Sequence, residues 1–185
     1  MNICIFPGTF NPIHRAHLKM AEVVLEKFKF DKIIFIPAYI PPHKELNMDL
    51  AIHRFNMVRI AIASNPKFDI SDIEYQSEGK SYSLITVRKI KNEYNIKGKL
   101  NFLIGTDAFK NIKSWYKVDE LKDLVHFIVY PRGNDIIDKN KFEEFDYEII
   151  NADTIDISST ELRKKQKEYT IKPVKDYVEK YELYN

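Results

Sequence analysis

The sequence predicts an α/β domain built on a mostly parallel sheet with helices on both faces. Short apolar runs of strand type alternate with amphipathic helical segments along the 185 residues. Several runs are apolar throughout, as strands covered on both faces are. The order βαβα implies parallel strands joined by right-handed crossovers. We expect one domain over residues 1–185, because this length and a hydrophobic share of 44% suffice for one ordinary core.

Six apolar segments are predicted strands: residues 3–6, 33–36, 100–104 and 127–130, with weaker candidates at 68–73 and 147–150. Helical spacing relates two further sets of apolar residues: Leu18, Ala21, Leu25 and Phe28, then Ile52, Phe55, Val58 and Ile62. A doubly wound sheet binds ligands beyond the carboxyl ends of its strands, near the point where strand order reverses. Motifs that follow strand ends are therefore the candidates for function.

Composition excludes several classes of function. The 29 basic and 27 acidic residues nearly cancel, so no basic field indicates nucleic acid, and the predicted partner is a small molecule. The single cysteine, Cys4, cannot form an internal disulfide, and its place in an apolar run favours a buried over a catalytic role. No leader pattern or bilayer-length apolar run is present. We expect a cytoplasmic protein without a membrane partner.

The segment from Gly8 to His17 follows the first predicted strand and has the chemistry of a phosphate site. Gly8 lets the backbone approach an anion, and a turn at Asn11 leads into a helix whose first N–H groups favour negative charge. His14 and His17 are three residues apart, so they share one face of a helical turn. Both imidazoles can then donate to oxygens of one phosphate chain.

Two other interpretations of this loop are a zinc pair and two histidines that only cap the helix. Zinc needs two further ligands, and the remaining histidines, His43, His53 and His126, have no matching cysteine or paired spacing. A dinucleotide-binding oxidoreductase would show Gly-x-Gly-x-x-Gly here, whereas the loop has one glycine. Phosphate binding is the favoured interpretation.

The loop resembles the Gly-Gly-Thr-Phe-Asp-Pro-x-His-x-Gly-His signature of the bacterial nicotinate-nucleotide adenylyltransferases, within the HxxH nucleotidyltransferase superfamily. Pro7, Asn11 and Ala16 stand where that signature has glycine, aspartate and glycine. The first difference is shared with the Pro-Gly-Ser-Phe-Asp-Pro form of the pantetheine-phosphate adenylyltransferases. This motif alone therefore leaves the acceptor open.

Two further segments resemble acceptor-binding motifs of the same enzymes. Residues 41–44 match a Pro-Pro-His-Lys loop, in which paired prolines stiffen the chain and Lys44 supplies a charge for a phosphate. Ser81, Tyr82 and Ser83 resemble a Ser-Tyr-Thr motif at a helix start, where N–H groups favour a carboxylate. Ser81 or Ser83 is suited to cap this helix. Without the motifs, Lys44 is an ordinary solvated lysine and the serines are plain caps.

The fourth and fifth predicted strands end in further candidates. Gly105 and Asp107 resemble the family's Ile-Gly-x-Asp motif, where glycine would admit the nucleotide and the carboxylate could accept from a ribose hydroxyl. Trp115 and Tyr116 resemble its Trp-Tyr pair, and Trp115 offers a flat face for a pyridine ring. A buried core tryptophan is the alternative. Arg132 is a candidate for the phosphate or adenine side.

Residues 156–163 resemble the superfamily's Ile-Ser-Ser-Thr-x-Ile-Arg signature. Ser158 and Glu161 form a capping-box pattern. Arg163 lies one turn further and can reach an anion held at the same helix N-terminus. The resemblance implies that this segment grips the ATP phosphates opposite the two histidines.

The resemblance implies a Rossmann-like fold and a reaction in which ATP and nicotinate mononucleotide give deamido-NAD and pyrophosphate, with Mg²⁺ as cofactor. The implied catalytic residues are His14, His17 and Arg163. The implied ATP site comprises Gly8, Thr9, Phe10, His14, His17, Gly105, Asp107, Arg132, Ile157, Ser158, Ser159 and Arg163. The implied acceptor site comprises Asn11, Lys44, Tyr82, Ser83, Trp115 and Tyr116.

Four alternatives stay open beside this reaction. Nicotinamide mononucleotide or phosphopantetheine can be the acceptor in the same chemistry, although the acceptor motifs argue against phosphopantetheine. A regulatory nucleotide-binding domain without turnover is suggested by the departures at Asn11 and Ala16. A fragment related to class I aminoacyl-tRNA synthetases is disfavoured by the short chain and the lack of a basic surface signal. The sequence does not determine the oligomeric state.

Overall fold

Apolar strands assemble into one sheet in the computed structural model, which describes residues 1–152 and 166–185. The strands are β1 (Ile3–Gly8), β2 (Lys32–Pro37), β3 (Phe68–Ile70), β4 (Leu100–Gly105), β5 (Val125–Tyr130) and β6 (Tyr147–Ile149). Their order across the sheet is β3-β2-β1-β4-β5-β6, and each neighbouring pair is parallel. The predicted fold class is confirmed, and all six predicted strands are present.

Helices connect these strands along the described ranges. They are α1 (Arg15–Phe28), α2 (Ala51–Ile62), α3 (Ser83–Glu93), α4 (Thr106–Phe109), α5 (Val118–Leu121), α6 (Gln166–Tyr169) and α7 (Lys172–Lys180). In residues 1–152 and 166–185 no helix is both long and apolar enough to cross a bilayer.

Each face of the sheet has its own apolar core. Along β1, Ile3 and Ile5 belong to the core shared with α3 and α5, whereas Cys4 and Phe6 belong to the core shared with α1, α2 and α7. This alternation follows from the two-residue period of a strand. Burial raises the pKa of the Cys4 thiol well above its ordinary value, so the expected buried role of this cysteine is confirmed.

The buried face of α2 differs from the predicted one. Ile52 is 56% exposed, whereas Arg54 is fully buried beside Val58. The guanidinium of Arg54 is hydrogen-bonded to main-chain carbonyls in two neighbouring loops, which compensates part of the cost of burying a charge. The helical period was therefore predicted correctly, but the buried face of α2 is the one that carries Arg54 and not the one that carries Ile52.

The strand order reverses between β1 and β4, and this is what creates a site. From β1 the chain first builds outward through β2 and β3, then returns to place β4 on the other side of β1. The loops that leave β1 and β4 therefore diverge toward opposite faces, and a cleft forms between them at the carboxyl ends of the strands.

Leu103 in the middle of β4 is 0% exposed, so Leu103→Ala should leave a cavity. We expect the free energy of unfolding to fall by about 3 kcal/mol, as for buried leucines elsewhere. Urea denaturation followed by circular dichroism measures this loss. Ile136→Ala is the control, because that side chain is 91% exposed and its truncation should cost less than about 0.5 kcal/mol. Similar losses in both variants would contradict the assigned core.

Candidate active site

A cleft of about 1060 Å³ opens between the carboxyl ends of β1 and β4. It is lined by every predicted site residue in the described ranges: Gly8, Thr9, Phe10, Asn11, His14, His17, Lys44, Tyr82, Ser83, Gly105, Asp107, Trp115, Tyr116 and Arg132. The predicted residues Ile157, Ser158, Ser159 and Arg163 lie outside the described residues. Loops that are distant in sequence thus contribute to one cavity.

The two histidines form a stacked pair at the start of α1. His14 is the N-cap residue, and its backbone N–H donates to His17 Nδ1 at 3.2 Å. The rings stack with their centroids 3.7 Å apart, so the predicted shared face is confirmed. Because Nδ1 of His17 accepts, the proton of the neutral ring is on Nε2. His14 Nδ1 is buried and has no hydrogen-bond partner among the described residues.

Burial keeps both imidazoles neutral. It lowers the pKa of His14 to about 4, with a further contribution from the charge of Arg132. The pKa of His17 is well below its ordinary value, first through burial and then through the charges of His14, Arg132 and Lys44. At neutral pH the pair therefore offers N–H donors without positive charge, and Arg132 and Lys44 supply the cationic field.

Phe10 packs against His17 of this pair. Its side chain is 2% exposed, and its ring lies edge-on to His17 with centroids 5.0 Å apart. A Cβ atom on Gly8 would come within 2.8 Å of the Phe10 ring. Gly8 is thus needed to make room for Phe10, a reason different from the predicted approach of the backbone to an anion.

At the end of β4, Gly105 allows two charged side chains to lie close to the main chain. A Cβ atom there would be 2.5 Å from Asp107 Oδ1 and 2.7 Å from Arg132 Cδ. Asp107 Oδ2 lies 3.5 Å from the Arg132 guanidinium, while Asp107 Oδ1 is buried without a hydrogen-bond partner in the described part of the chain. The carboxylate therefore retains an acceptor oxygen for a ligand.

Thr106 fixes the backbone of Arg132 and was missed by sequence reasoning. Its hydroxyl donates to the Arg132 carbonyl at 3.1 Å and accepts the Arg132 N–H at 2.9 Å. Thr106 is 2% exposed. This exchange joins the loop after β5 to the start of α4, so it positions the arginine over the end of β4.

Aromatic residues also line the cleft. Tyr82 and Tyr116 stack with centroids 4.3 Å apart. Trp115 is partly buried, packs against Phe102 at 6.0 Å and also lines the cleft. Trp115 therefore packs against the core and also belongs to the lining of the cleft.

The start of α3 carries the N-cap residue Tyr82. Within residues 1–152 and 166–185, no side chain caps the first N–H groups of this helix. The prediction that Ser81 or Ser83 caps this helix is wrong. Ser81 Oγ accepts instead from the N–H groups of Tyr39 and Ile40, each at 3.1 Å. The uncapped helix start therefore presents partial positive charge to the cleft.

Asn11 is held by a residue that lies far away in sequence. Its Oδ1 accepts a hydrogen bond from the Tyr184 hydroxyl, so the segment after α7 reaches the loop after β1. Burial raises the pKa of Tyr184 to about 12, which keeps the phenol protonated and able to donate. The amide of Asn11 accepts this bond without placing a negative charge beside a phosphate site.

Sequence reasoning also missed two buried charged residues, Arg54 and Glu74. Arg54 fits an i, i+3, i+4 pattern with Ala51 and Val58, so the spacing indicated the buried face although the residue type did not. Glu74 is 6% exposed and lines the cleft. No local pattern in the sequence marks it.

The fold and this cleft define a nucleotidyltransferase, and residues 5–165 match the family model described as cytidylyltransferase-like. The chain is also 40% identical over 192 residues to the nicotinate-nucleotide adenylyltransferase of Bacillus subtilis, covering 98% of this chain and 97% of that protein. It belongs to the nicotinate-nucleotide adenylyltransferase family, as the sequence predicted.

A solved structure supports the same assignment. The Plasmodium falciparum nicotinic acid mononucleotide adenylyltransferase complexed with NaAD is 28% identical, with a TM-score of 0.84 over 99% of this chain and 97% of that one. The same protein complexed with APC has a TM-score of 0.80, is 26% identical and is matched over 99% of this chain and 96% of its own. The described fold therefore extends to a relative solved in complexes with NaAD and with APC.

Protonation of His14 should make stability depend on pH. Its pKa is about 4 in the folded protein against an ordinary 6.5, so between these values the unfolded chain binds more protons. The free energy of unfolding is then unaffected by protonation of His14 above the unfolded pKa, and it falls as the pH is lowered toward the folded pKa. Between about pH 7 and about pH 4.5, the free energy of unfolding of His14→Asn should fall by about 2 kcal/mol less than that of the parent protein. This figure follows from about 1.4 kcal/mol for each unit of pKa difference.

Urea denaturation at several pH values, followed by circular dichroism, measures both slopes. His43→Asn serves as the control, because His43 also lines the cleft but is exposed. Identical slopes in the parent and in His14→Asn would contradict the neutral buried pair.

Proposed function

We propose that the chain transfers the adenylyl group of ATP to nicotinate mononucleotide and releases pyrophosphate, forming deamido-NAD in NAD biosynthesis. The observation that carries this proposal is a single cleft whose lining combines two chemically different sets of residues. One set comprises the histidine pair, Arg132 and Asp107, and the other comprises Trp115 and the uncapped start of α3. The names of the Bacillus subtilis and Plasmodium falciparum relatives agree with it.

The reaction needs positioning and charge stabilisation rather than a protein nucleophile. An oxygen of the acceptor phosphate attacks the α-phosphorus of ATP, and the bond from the α-phosphorus to the bridging oxygen breaks, leaving its electron pair on pyrophosphate. His14 and His17 donate to oxygens on which negative charge accumulates, so these bonds strengthen in the transition state. Lys44 orients the acceptor phosphate, and Arg132 attracts the polyphosphate.

Arg163, Ser158 and Ser159 complete the phosphate site in this proposal. They lie outside the described residues, so their assignment depends on the Ile-Ser-Ser-Thr-x-Leu-Arg sequence alone. Arginine is suited to this role because its planar fork can hold two phosphate oxygens.

Magnesium fits this site as a companion of ATP. Among residues 1–152 and 166–185, no group of three or more histidine, cysteine, aspartate or glutamate side chains could hold a metal ion. Mg²⁺ usually binds through substrate phosphates with one or two carboxylates. Asp107 Oδ1 has no hydrogen-bond partner among these residues, so it is open either to the ion or to a ribose hydroxyl. When bound, the ion neutralises charge on the phosphates.

The remaining assignments extend this proposal. One catalytic domain covers residues 1–185, and the protein acts in the cytoplasm on ATP and a pyridine mononucleotide. Pyrophosphate release with ATP and each candidate acceptor tests the function. Pyrophosphate release with phosphopantetheine alone would overturn the assigned acceptor. If none of the candidate acceptors gave pyrophosphate release, a regulatory nucleotide-binding role would be favoured.

His17→Ala should lower kcat by about 100-fold or more, as for loss of one electrostatic stabiliser, while the KM for ATP changes by less than about threefold. The reason is that the Nε2 donor acts most strongly on charge that develops in the transition state. Steady-state kinetics measure both constants. His126→Ala is the matched control, because His126 lies near the amino end of β5, at the opposite edge of the sheet. A near-normal kcat in His17→Ala would remove the histidine pair from the mechanism.

The enzyme should prefer nicotinate to nicotinamide mononucleotide. The uncapped start of α3 lines the cleft near Trp115, and its partial positive charge favours a carboxylate over a neutral amide. We expect a ratio of kcat/KM values of about 100, since unpaired polar groups cost about 1–3 kcal/mol. Comparing both mononucleotides at saturating ATP and Mg²⁺ measures this ratio. Equal values would show that the pocket does not distinguish acid from amide.

A further inference from the structure

Arg54 joins the loop after β1 to the loop after β2, and residues of both loops line the cleft. Its side chain is fully buried in α2. One guanidinium nitrogen donates to the carbonyls of Thr9 at 2.8 Å and Ala38 at 2.6 Å, and the other donates to the carbonyl of Tyr39 at 3.2 Å. Thr9 belongs to the loop after β1, while Ala38 and Tyr39 begin the loop after β2. One side chain therefore sets the separation of these loops.

This arrangement also determines which way the peptide groups face. In a trans peptide the C=O and the following N–H point in opposite directions. The carbonyl of Thr9 turns inward to Arg54, so the N–H of Phe10 points to the other side of that peptide. Arg54 thus fixes the orientation of the peptide group between Thr9 and Phe10.

A second set of contacts holds the loop after β2 from the side of α3. Ser81 Oγ accepts the N–H groups of Tyr39 and Ile40, and the Ser81 N–H donates to the Ile40 carbonyl at 2.8 Å. Ser81 also bonds to the carboxylate of Glu74. Two residues after Ile40 the chain continues into His43 and Lys44, so these contacts fix the base of the segment that carries Lys44.

Glu74 places a buried carboxylate within the same network. It is 6% exposed, and its Oε1 accepts from Thr86 Oγ1 at 2.8 Å. Burial raises the pKa of Glu74 to about 7, although the bonds from Thr86 and Ser81 and the charge of Arg54 act in the opposite direction. Its ionised form is therefore a counter-charge for Arg54 that is gained or lost near neutral pH.

We propose that Arg54 and Glu74 are positioning residues that hold the loops after β1 and β2 at the separation needed to bind the phosphate of the mononucleotide acceptor. This inference depends on the proposed function. Neither side chain contacts the reacting atoms; each acts through main-chain groups near Thr9 and Lys44. Arg54 and Glu74 interact through their charges, and buried opposite charges contribute little net stability compared with apolar residues of the same size, so their contribution is to geometry.

Arg54→Lys tests the inference, because lysine keeps the charge but cannot reproduce a planar fork that donates to three carbonyls. Two of the three carbonyls begin the loop that carries Lys44, whereas one belongs to Thr9 of the ATP site. We therefore expect the KM for nicotinate mononucleotide to rise by about tenfold or more and the KM for ATP to rise less, by under about threefold. Titration of Trp115 fluorescence with nicotinate mononucleotide gives the affinity independently of turnover. Arg59→Lys is the matched control, since Arg59 is an exposed residue of the same helix and should leave both constants unchanged.

Glu74→Gln provides a second variant if Arg54→Lys does not fold, and its pH dependence separates positioning from general instability. The ratio of acceptor KM values, variant over parent, should be about fivefold at about pH 8 and approach one at about pH 6, where the parent carboxyl is also neutral. Taking this ratio cancels the titration of the substrate phosphate.

Three outcomes would overturn the inference. They are an unchanged acceptor KM in folded Arg54→Lys, an equal rise in both KM values, and a ratio for Glu74→Gln that does not vary with pH. If the parent protein shows no turnover of ATP with nicotinate mononucleotide, the proposed function fails instead. Parent turnover together with any of the three outcomes removes only the roles of Arg54 and Glu74.

Discussion

Parallel pairing of β1 with both β2 and β4 is the constraint on which the cleft depends. Gly8 lies opposite Pro37 in the register of β1 and β2, and β4 ends beside them at Gly105. Because the strands run in one direction, their carboxyl ends meet at one edge. Both faces of the sheet are covered by apolar cores, so the polar groups that bind and react are concentrated along that edge.

Burial then determines the charge of each group at this edge. The same desolvation lowers the pKa of His14 and raises that of Glu74, because the charged form is the protonated one for histidine and the deprotonated one for glutamate. Around neutral pH the cleft therefore combines neutral N–H donors with the fixed cations Arg132 and Lys44. Such donors are oriented before the substrate arrives and need little reorganisation during the reaction.

Local patterns in the sequence predicted the fold well and the site in part. Apolar runs and helical spacing depend on neighbouring residues, so all six strands and the shared face of His14 and His17 could be anticipated. The contacts of Arg54, Ser81 and Tyr184 join residues far apart in the chain, and no local period encodes them. Ser81 illustrates the difference, because its position predicted a helix cap whereas its hydroxyl bonds to a distant loop.

The sheet order also has a consequence for the way the chain acquires its structure. Cys4 lies opposite Asn101 in the sheet, so β1 pairs with a strand that lies about 100 residues further along the chain. Such non-local pairing makes folding slow, since a long loop must close before the contact forms. During synthesis the first strands pair early, yet one side of β1 stays uncovered until β4 leaves the ribosome. The nascent chain therefore exposes an apolar strand edge and cannot form its nucleotide cleft until more than half of its residues have been made.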